Sequence, residues 1–306
     1  MANGDLIRNP FEWVLDGFRG VSRVVASTAH AAHLDEDAVE IAPPEIRRIE
    51  VADLKEALRR GLEDLGAFRT DVFFICIIYP LAGLVLSQLV FGNRLVPLAF
   101  PLASGFALIG PVAAVGLYEM SRRHERGDDI TWWDAFDVVR SPAFGAIVLL
   151  AIWLGIIFLV WLGAAYAVYS LTLGPEPPAS IMGFVSDVFT TAAGWTMIVV
   201  GMGVGFCFAL IVLTISVVSF PMLLDRDVGL AGAVTTSVRA VRENPRTMAI
   251  WGLIVAGSLA LGMLPAFLGL IVVMPVLGHA TWHLYRRVVQ WPDEAAQPIG
   301  SAAGSE

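Results

Sequence analysis

From Val72 onward the chain alternates between long apolar runs and short polar stretches. Six runs approach or exceed the roughly 20 residues that a helix needs to cross a bilayer. They are Val72–Phe91, Val96–Tyr118, Ala143–Ser170, Ala192–Leu224, Met248–Leu264 and Ala266–Tyr285. The fourth is longer than a span requires, so a bend or an exit into water is expected around Pro221. The fifth is short and turns into the sixth through Gly262-Met263-Leu264-Pro265. Between the third and fourth runs, Ile181, Phe184, Val185, Val188 and Phe189 recur at helical spacing behind Ser180 as a cap. That pattern predicts a short helix lying in the membrane interface.

Basic residues orient these spans. Nine of the 20 precede the first run, Arg94 alone lies in the first loop, and the third and fifth loops hold none. Arg122, Arg123, Arg126 and Arg140 fill the second loop, Arg226, Arg239, Arg242 and Arg246 the fourth, and Arg286 and Arg287 follow the last run. The even loops and both termini therefore read as cytoplasmic. The expected fold is all-α: a six-helix transmembrane bundle.

The runs also repeat. Pro101-x3-Gly105-x5-Pro111-x10-Arg122-Arg123 matches Pro265-x3-Gly269-x5-Pro275-x10-Arg286-Arg287 without a gap. The mid-span prolines Pro111 and Pro275 are expected to kink their helices, because each lacks an N–H and crowds the preceding turn. Ahead of the odd-numbered runs, Asp53-Leu54-x2-Ala57-Leu58, Thr131-Trp132-x2-Ala135-Phe136 and Gly229-Leu230-x2-Ala233-Val234 each open a short amphipathic helix. Three units of cytoplasmic helix plus transmembrane hairpin result. Such repeats occur in transporters and in duplicated, packed bundles.

Composition agrees. The chain is 57% apolar and 16% charged over 306 residues, and residues 1–71 hold 23 of the 48 charged side chains. Residues 1–45 stand apart from the membrane domain of residues 46–290. They contain a helix after Pro10 with Phe11, Leu15 and Phe18 on one face, then an acidic stretch and Pro43-Pro44. This helix reads either as an interfacial anchor or as a docking element for a partner. Residues 291–306 read as a disordered tail. Met1–Pro10 has no apolar core, so no signal peptide is expected. Cys76 and Cys207 lie in apolar runs and behave as small hydrophobes. No basic block suggests nucleic acid.

The span interiors hold no Asp, Glu, Lys or Arg, the groups on which proton-coupled transporters and charged filters rely. His279 and His283 share a face of the sixth span. Four-residue spacing suits hydrogen-bonded structural histidines, a haem or metal pair, or proton traffic. Glu119, Arg122, Asp225 and Arg226 sit at the cytoplasmic ends of even spans. With Arg239 and its neighbours they are expected to form a charged ring, as intrachain anchors or as a lipid-phosphate or partner site. Gly201-x3-Gly205 reads as a close-packing seam. No Ser-His-Asp set, phosphate loop or HExxH motif occurs, so no enzyme is expected.

Ser104-Gly-Phe-Ala-Leu-Ile-Gly-Pro111 with Leu117-Tyr-Glu119, Phe220-Pro-Met-Leu-Leu-Asp-Arg-Asp227, Ser237-Val-Arg-Ala-Val-Arg-Glu-Asn244, and Pro275-Val-Leu-Gly-His-Ala-Thr-Trp-His-Leu-Tyr285 resemble a family of bacterial predicted integral membrane proteins of unassigned function. The likeness covers about residues 45–290. Some members carry a cytochrome c oxidase subunit I label, but the haem–copper subunit needs more spans and more histidine ligands than this chain has. The expected function is that of a non-enzymatic inner-membrane protein with the lipid bilayer and a membrane-protein partner as its contacts. It would be an accessory or assembly factor, with a respiratory complex as one candidate. The alternatives are a small-molecule or lipid transporter built on the proline-kinked repeat, and a haem or metal protein using His279 and His283.

Overall fold

The structure is a computed structural model that describes residues 44–92, 95–128 and 131–292. The helix expected to carry Phe11, Leu15 and Phe18, its linker, Arg94 and residues 293–306 lie outside the described residues.

The fold is all-α apart from one two-residue pairing. Strand β1 (Glu45–Ile46) runs antiparallel to β2 (Val289–Gln290). Helices follow in order: α1 (Val51–Cys76), α2 (Ile78–Gly92), α3 (Ala99–Ala113), α4 (Val115–Arg126), α5 (Phe144–Thr172), α6 (Ile181–Thr190), α7 (Ala192–Ser216), α8 (Ser219–Asp225), α9 (Gly229–Glu243), α10 (Pro245–Met263) and α11 (Leu270–Val288). Two 3-10 segments, Val96–Leu98 and Trp132–Arg140, complete the described elements. Three helical stretches among the described residues are long and apolar enough to cross a membrane: Phe144–Thr172, Ala192–Asp225 and Pro245–Met263.

The other expected spans coincide with helices that are broken or shifted. The first run is divided, because α1 carries the amphipathic segment from Val51 without interruption as far as Cys76 before α2 begins. The second divides at Ala114, three residues after Pro111. The sixth starts at Leu270 rather than Ala266, and the connection to α10 is a turn in which Ala266 (φ 51°) and Phe267 (φ 65°) are left-handed. Gly262 and Gly269 meet across that turn, where a Cβ on Gly269 would lie 2.7 Å from the Gly262 Cα. In the fourth run the bend falls at Val217–Val218, ahead of Pro221. Ser237 of α9 covers it, accepting the Val218 N–H (3.3 Å) and donating to the Thr214 carbonyl (2.8 Å).

The amphipathic segments expected ahead of the odd-numbered runs are found as α1, the 3-10 segment Trp132–Arg140 and α9. Each buries its apolar face: Leu54 and Ala57 in α1, Val138 in the 3-10 segment, Ala233 and Ala240 in α9. Pro111 lies near the end of α3 and Pro275 inside α11, which continues to Val288. Trp291, expected in the tail, is 1% exposed, so the packed chain reaches past residue 290.

Packing is uneven along the helices. The core lies toward the ends that meet α1, α8 and α9, and contains Tyr118, Phe220, Trp251, Trp282 and Tyr285. The remaining surfaces of α5, α7 and α10 expose large apolar side chains such as Leu159, Val199, Phe206 and Leu253. Contiguous apolar surface of this kind is unfavourable in water and is what a bilayer solvates. The Gly201/Gly205 seam faces α5, with Trp161 against Gly205, and the Trp161 indole donates to Ser104 of α3 (2.9 Å).

Candidate functional site

The ion-paired side chains and the buried histidines lie where α1, α4 and α11 meet and where α8 and α9 follow α7. At the centre is Asp64. A 26-residue helix that starts as an amphipathic segment brings this carboxylate against α11. The approach is close because Gly61 has no side chain: a Cβ there would lie 2.7 Å from the Ala280 nitrogen and 2.8 Å from the Val276 oxygen.

Asp64 is 4% exposed. Its Oδ2 accepts from Ser121 Oγ (2.6 Å) and His283 Nε2 (2.9 Å), and its Oδ1 from His124 Nδ1 (2.9 Å). Ser121 gives its one proton to Asp64, so His279 Nδ1, 2.7 Å away, donates to the serine oxygen. Burial pushes the Asp64 carboxyl upward, but hydrogen bonds from His283 and Ser121 and the field of the two α11 imidazoles outweigh it, holding the value at about 2. The group is a fixed anion clamping three elements.

His279 and His283 are thus brought together as the sequence suggests, with Asp64, Ser121 and His124 added. Among the described residues no group of three or more His, Cys, Asp or Glu side chains is placed to hold a metal ion. The imidazole nitrogens that face the cluster are engaged with Asp64 and Ser121. Nothing in the sequence marks Asp64, which sits among the polar residues of an amphipathic helix, far along the chain from either histidine.

The charged ring is assembled in part. Glu119, 2% exposed, accepts from Arg122 Nη2 and Arg123 Nε, both at 2.9 Å. Arg123 continues to Asp134 (2.7 Å) and Asp137 (2.8 Å) of the 3-10 segment. Hydrogen bonding to Glu119 raises the Arg123 pKa, and the Thr131 backbone N–H lowers that of Asp134. Arg122 Nη1 donates to the Leu224 carbonyl at the end of α8 (2.9 Å). Asp225 accepts from Tyr285 (2.8 Å), whose hydroxyl in turn accepts from Trp291 Nε1 (3.2 Å), and Arg226 lies over the Trp291 ring at 5.2 Å. Arg239 stands apart from the ring, 3.8 Å from Glu243 on its own helix. Beside Glu119 and Arg122 opens a cavity of about 540 Å³.

The two basic pairs reach in parallel ways. Arg123 binds the 3-10 segment that follows it in the chain, and Arg287 binds Asp53 of α1 (2.7 Å), the first of the amphipathic segments. Arg286 bridges to Glu125 (3.3 Å). The Glu50 backbone N–H, opposed by burial and helped by Arg287, lowers the Asp53 pKa. Asn244, 5% exposed, accepts the Ile49 N–H (2.8 Å) and donates to the Arg47 carbonyl (3.0 Å), tying the entry of α1 to the α9–α10 corner.

Between the second and sixth runs the contact is direct: a Cβ on Gly278 would lie 2.6 Å from Leu117 Cδ1 and 3.4 Å from the Ala114 Cβ. Pro111 and Pro275 each lie within their helices, α3 and α11.

No curated protein and no solved structure matches the chain. Residues 99–225, from the start of α3 to the end of α8, match the family model described as predicted integral membrane protein (DUF2189), a family of unknown function, so the chain is read as an integral membrane protein.

Proposed function

We propose that the chain is a six-span protein of the bacterial inner membrane with both termini in the cytoplasm. In this reading it serves, without catalysis, as an accessory or assembly partner of a membrane complex. One observation carries the reading: the buried polar groups join this chain's own elements instead of converging on an open reactive centre. Asp64 clamps α1 to α4 and α11, Arg123 ties α4 to the 3-10 segment, and Arg287 ties α11 to α1. The product is a braced cytoplasmic face beneath spans that present apolar surface to lipid. Six helical stretches at the six apolar runs, and 19 of 20 basic residues on one side of them, support the topology. The direct Gly278–Leu117 contact supports a packed seam at this point between the second and sixth spans.

Mild-detergent affinity purification from the native membrane, with mass spectrometry, tests this. A stoichiometric membrane-protein partner is expected, and it should be lost when residues 1–41 are deleted while the remaining unit, from Ala42 onward, keeps its melting midpoint. A solitary protein, or a partner retained equally by both forms, would overturn the docking role.

A further inference from the structure

The cavity beside Glu119 has walls of two kinds. Val138, Pro142, Ala143 and Leu223 are apolar, and the lining also includes Arg122 and Arg123, Asp137 and Arg140, and the Asp225-Arg226-Asp227 corner. It lies where α5 begins at Phe144 and α8 ends at Asp225, the depth at which two apolar spans give way to water. On the topology proposed above, that is headgroup level for a phospholipid.

The charges of the wall balance: four guanidinium groups, on Arg122, Arg123, Arg140 and Arg226, stand against four carboxylates, on Glu119, Asp137, Asp225 and Asp227. The inner members are engaged with one another. Arg123 holds Glu119, Asp134 and Asp137, Arg122 holds Glu119 and the Leu224 carbonyl, and Asp225 receives Tyr285. At the rim stand two groups of opposite sign. The Arg140 side chain is 86% exposed and reaches Asp137 through one nitrogen (3.0 Å), and Asp227 is exposed. A purely anionic headgroup would meet as many carboxylates as cations here, whereas a headgroup carrying both signs meets a partner for each.

We propose that this cavity binds the zwitterionic headgroup of a phospholipid with a primary amine, its phosphate toward Arg140 and its ammonium toward Asp227 and Asp137. The acyl chains would leave along the apolar wall toward α5. A primary ammonium offers N–H donors to the carboxylates and a quaternary one offers none, so the site distinguishes phosphatidylethanolamine from phosphatidylcholine as well as from phosphatidylglycerol.

Native mass spectrometry of the full chain in detergent, titrated with each of the three lipids and separately with water-soluble phosphoethanolamine, is the test. Phosphatidylethanolamine should bind about tenfold more tightly than either other lipid, the worth of one charge-assisted hydrogen bond. Arg140→Gln and Asp227→Asn, both at exposed positions, should each remove most of that preference with the melting midpoint unchanged. Equal binding of the three lipids, tighter phosphatidylglycerol binding, or a preference untouched by both substitutions would overturn the proposal. Full displacement of the lipid by equimolar phosphoethanolamine would also overturn it, by reducing the site to one for a free phosphate compound.

Discussion

Asp64 shows how one side chain can join three helices. An ionised carboxylate out of water is costly unless every lone pair finds a donor, and here a serine and two imidazoles supply the donors while a third imidazole backs the serine. The sign of its pH dependence follows. Because the folded value is depressed to about 2, below the ordinary value near 4, the stabilisation is complete above about pH 5. It is lost as pH falls through 2, and amounts to about 2 kcal/mol. Chemical or thermal unfolding in detergent should therefore show wild type losing stability between pH 5 and pH 2.5 relative to Asp64→Asn, whose own curve lacks this component. Parallel curves would remove the ionised clamp. The left-handed Ala266 and Phe267 are a second residue-scale cost, since each carries a Cβ in a region that favours glycine. The Phe267 ring lies against Gly83, which has no side chain to obstruct it.

Among the elements, α1 is the one whose role changes most between pattern and structure. Its hydrophobic spacing marks an amphipathic helix, and Leu54 and Ala57 are indeed buried. Periodicity carries no sign, however, that the same helix continues as far as Cys76, nor that it lies against α11. Gly61 is the condition for that contact. Gly61→Val should drive the two backbones apart and cost about 3 kcal/mol or more. Gly66→Ala on the same helix, with nothing within 4 Å of the added carbon, should be neutral or gain up to about 1 kcal/mol through helix propensity. Melting midpoints of the two variants decide it: a tolerated valine at position 61 would mean that α1 does not dock as described. The prolines give the opposite lesson. Pro111 and Pro275 share a motif, but α3 ends soon after the first while α11 runs on to Val288 past the second, so the same local pattern is followed by different chain paths.

For the molecule as a whole, the apolar runs of the sequence locate the long apolar helices, since a stretch that lipid must solvate satisfies its backbone internally, but not α1, most of which precedes the first run. The apolar pattern does not mark the break at Ile77, because the residues on either side are equally apolar, whereas those at Ala114 and Val217 fall within a turn of the kink and bend expected at Pro111 and Pro221. The site was half legible: His279 and His283 stand out by spacing on one helix, whereas Asp64 and His124 join them only through the crossing of α1 and α4 over α11. The short β1–β2 pairing, Glu45 opposite Gln290 and Ile46 opposite Val289, together with the Arg287–Asp53 bridge, makes the last segment the neighbour of the first. The peptide order is then only one of several ways to thread the same circuit. A circular permutant that links residue 292 to residue 44 through a short glycine-serine bridge, so keeping the buried Trp291, and opens the chain between Asp128 and Thr131 would in the proposed topology leave every arginine-bearing loop on its side of the membrane. It should insert, and melt within a few degrees of the parent, whereas reopening at Gly174 on the opposite side should not insert correctly.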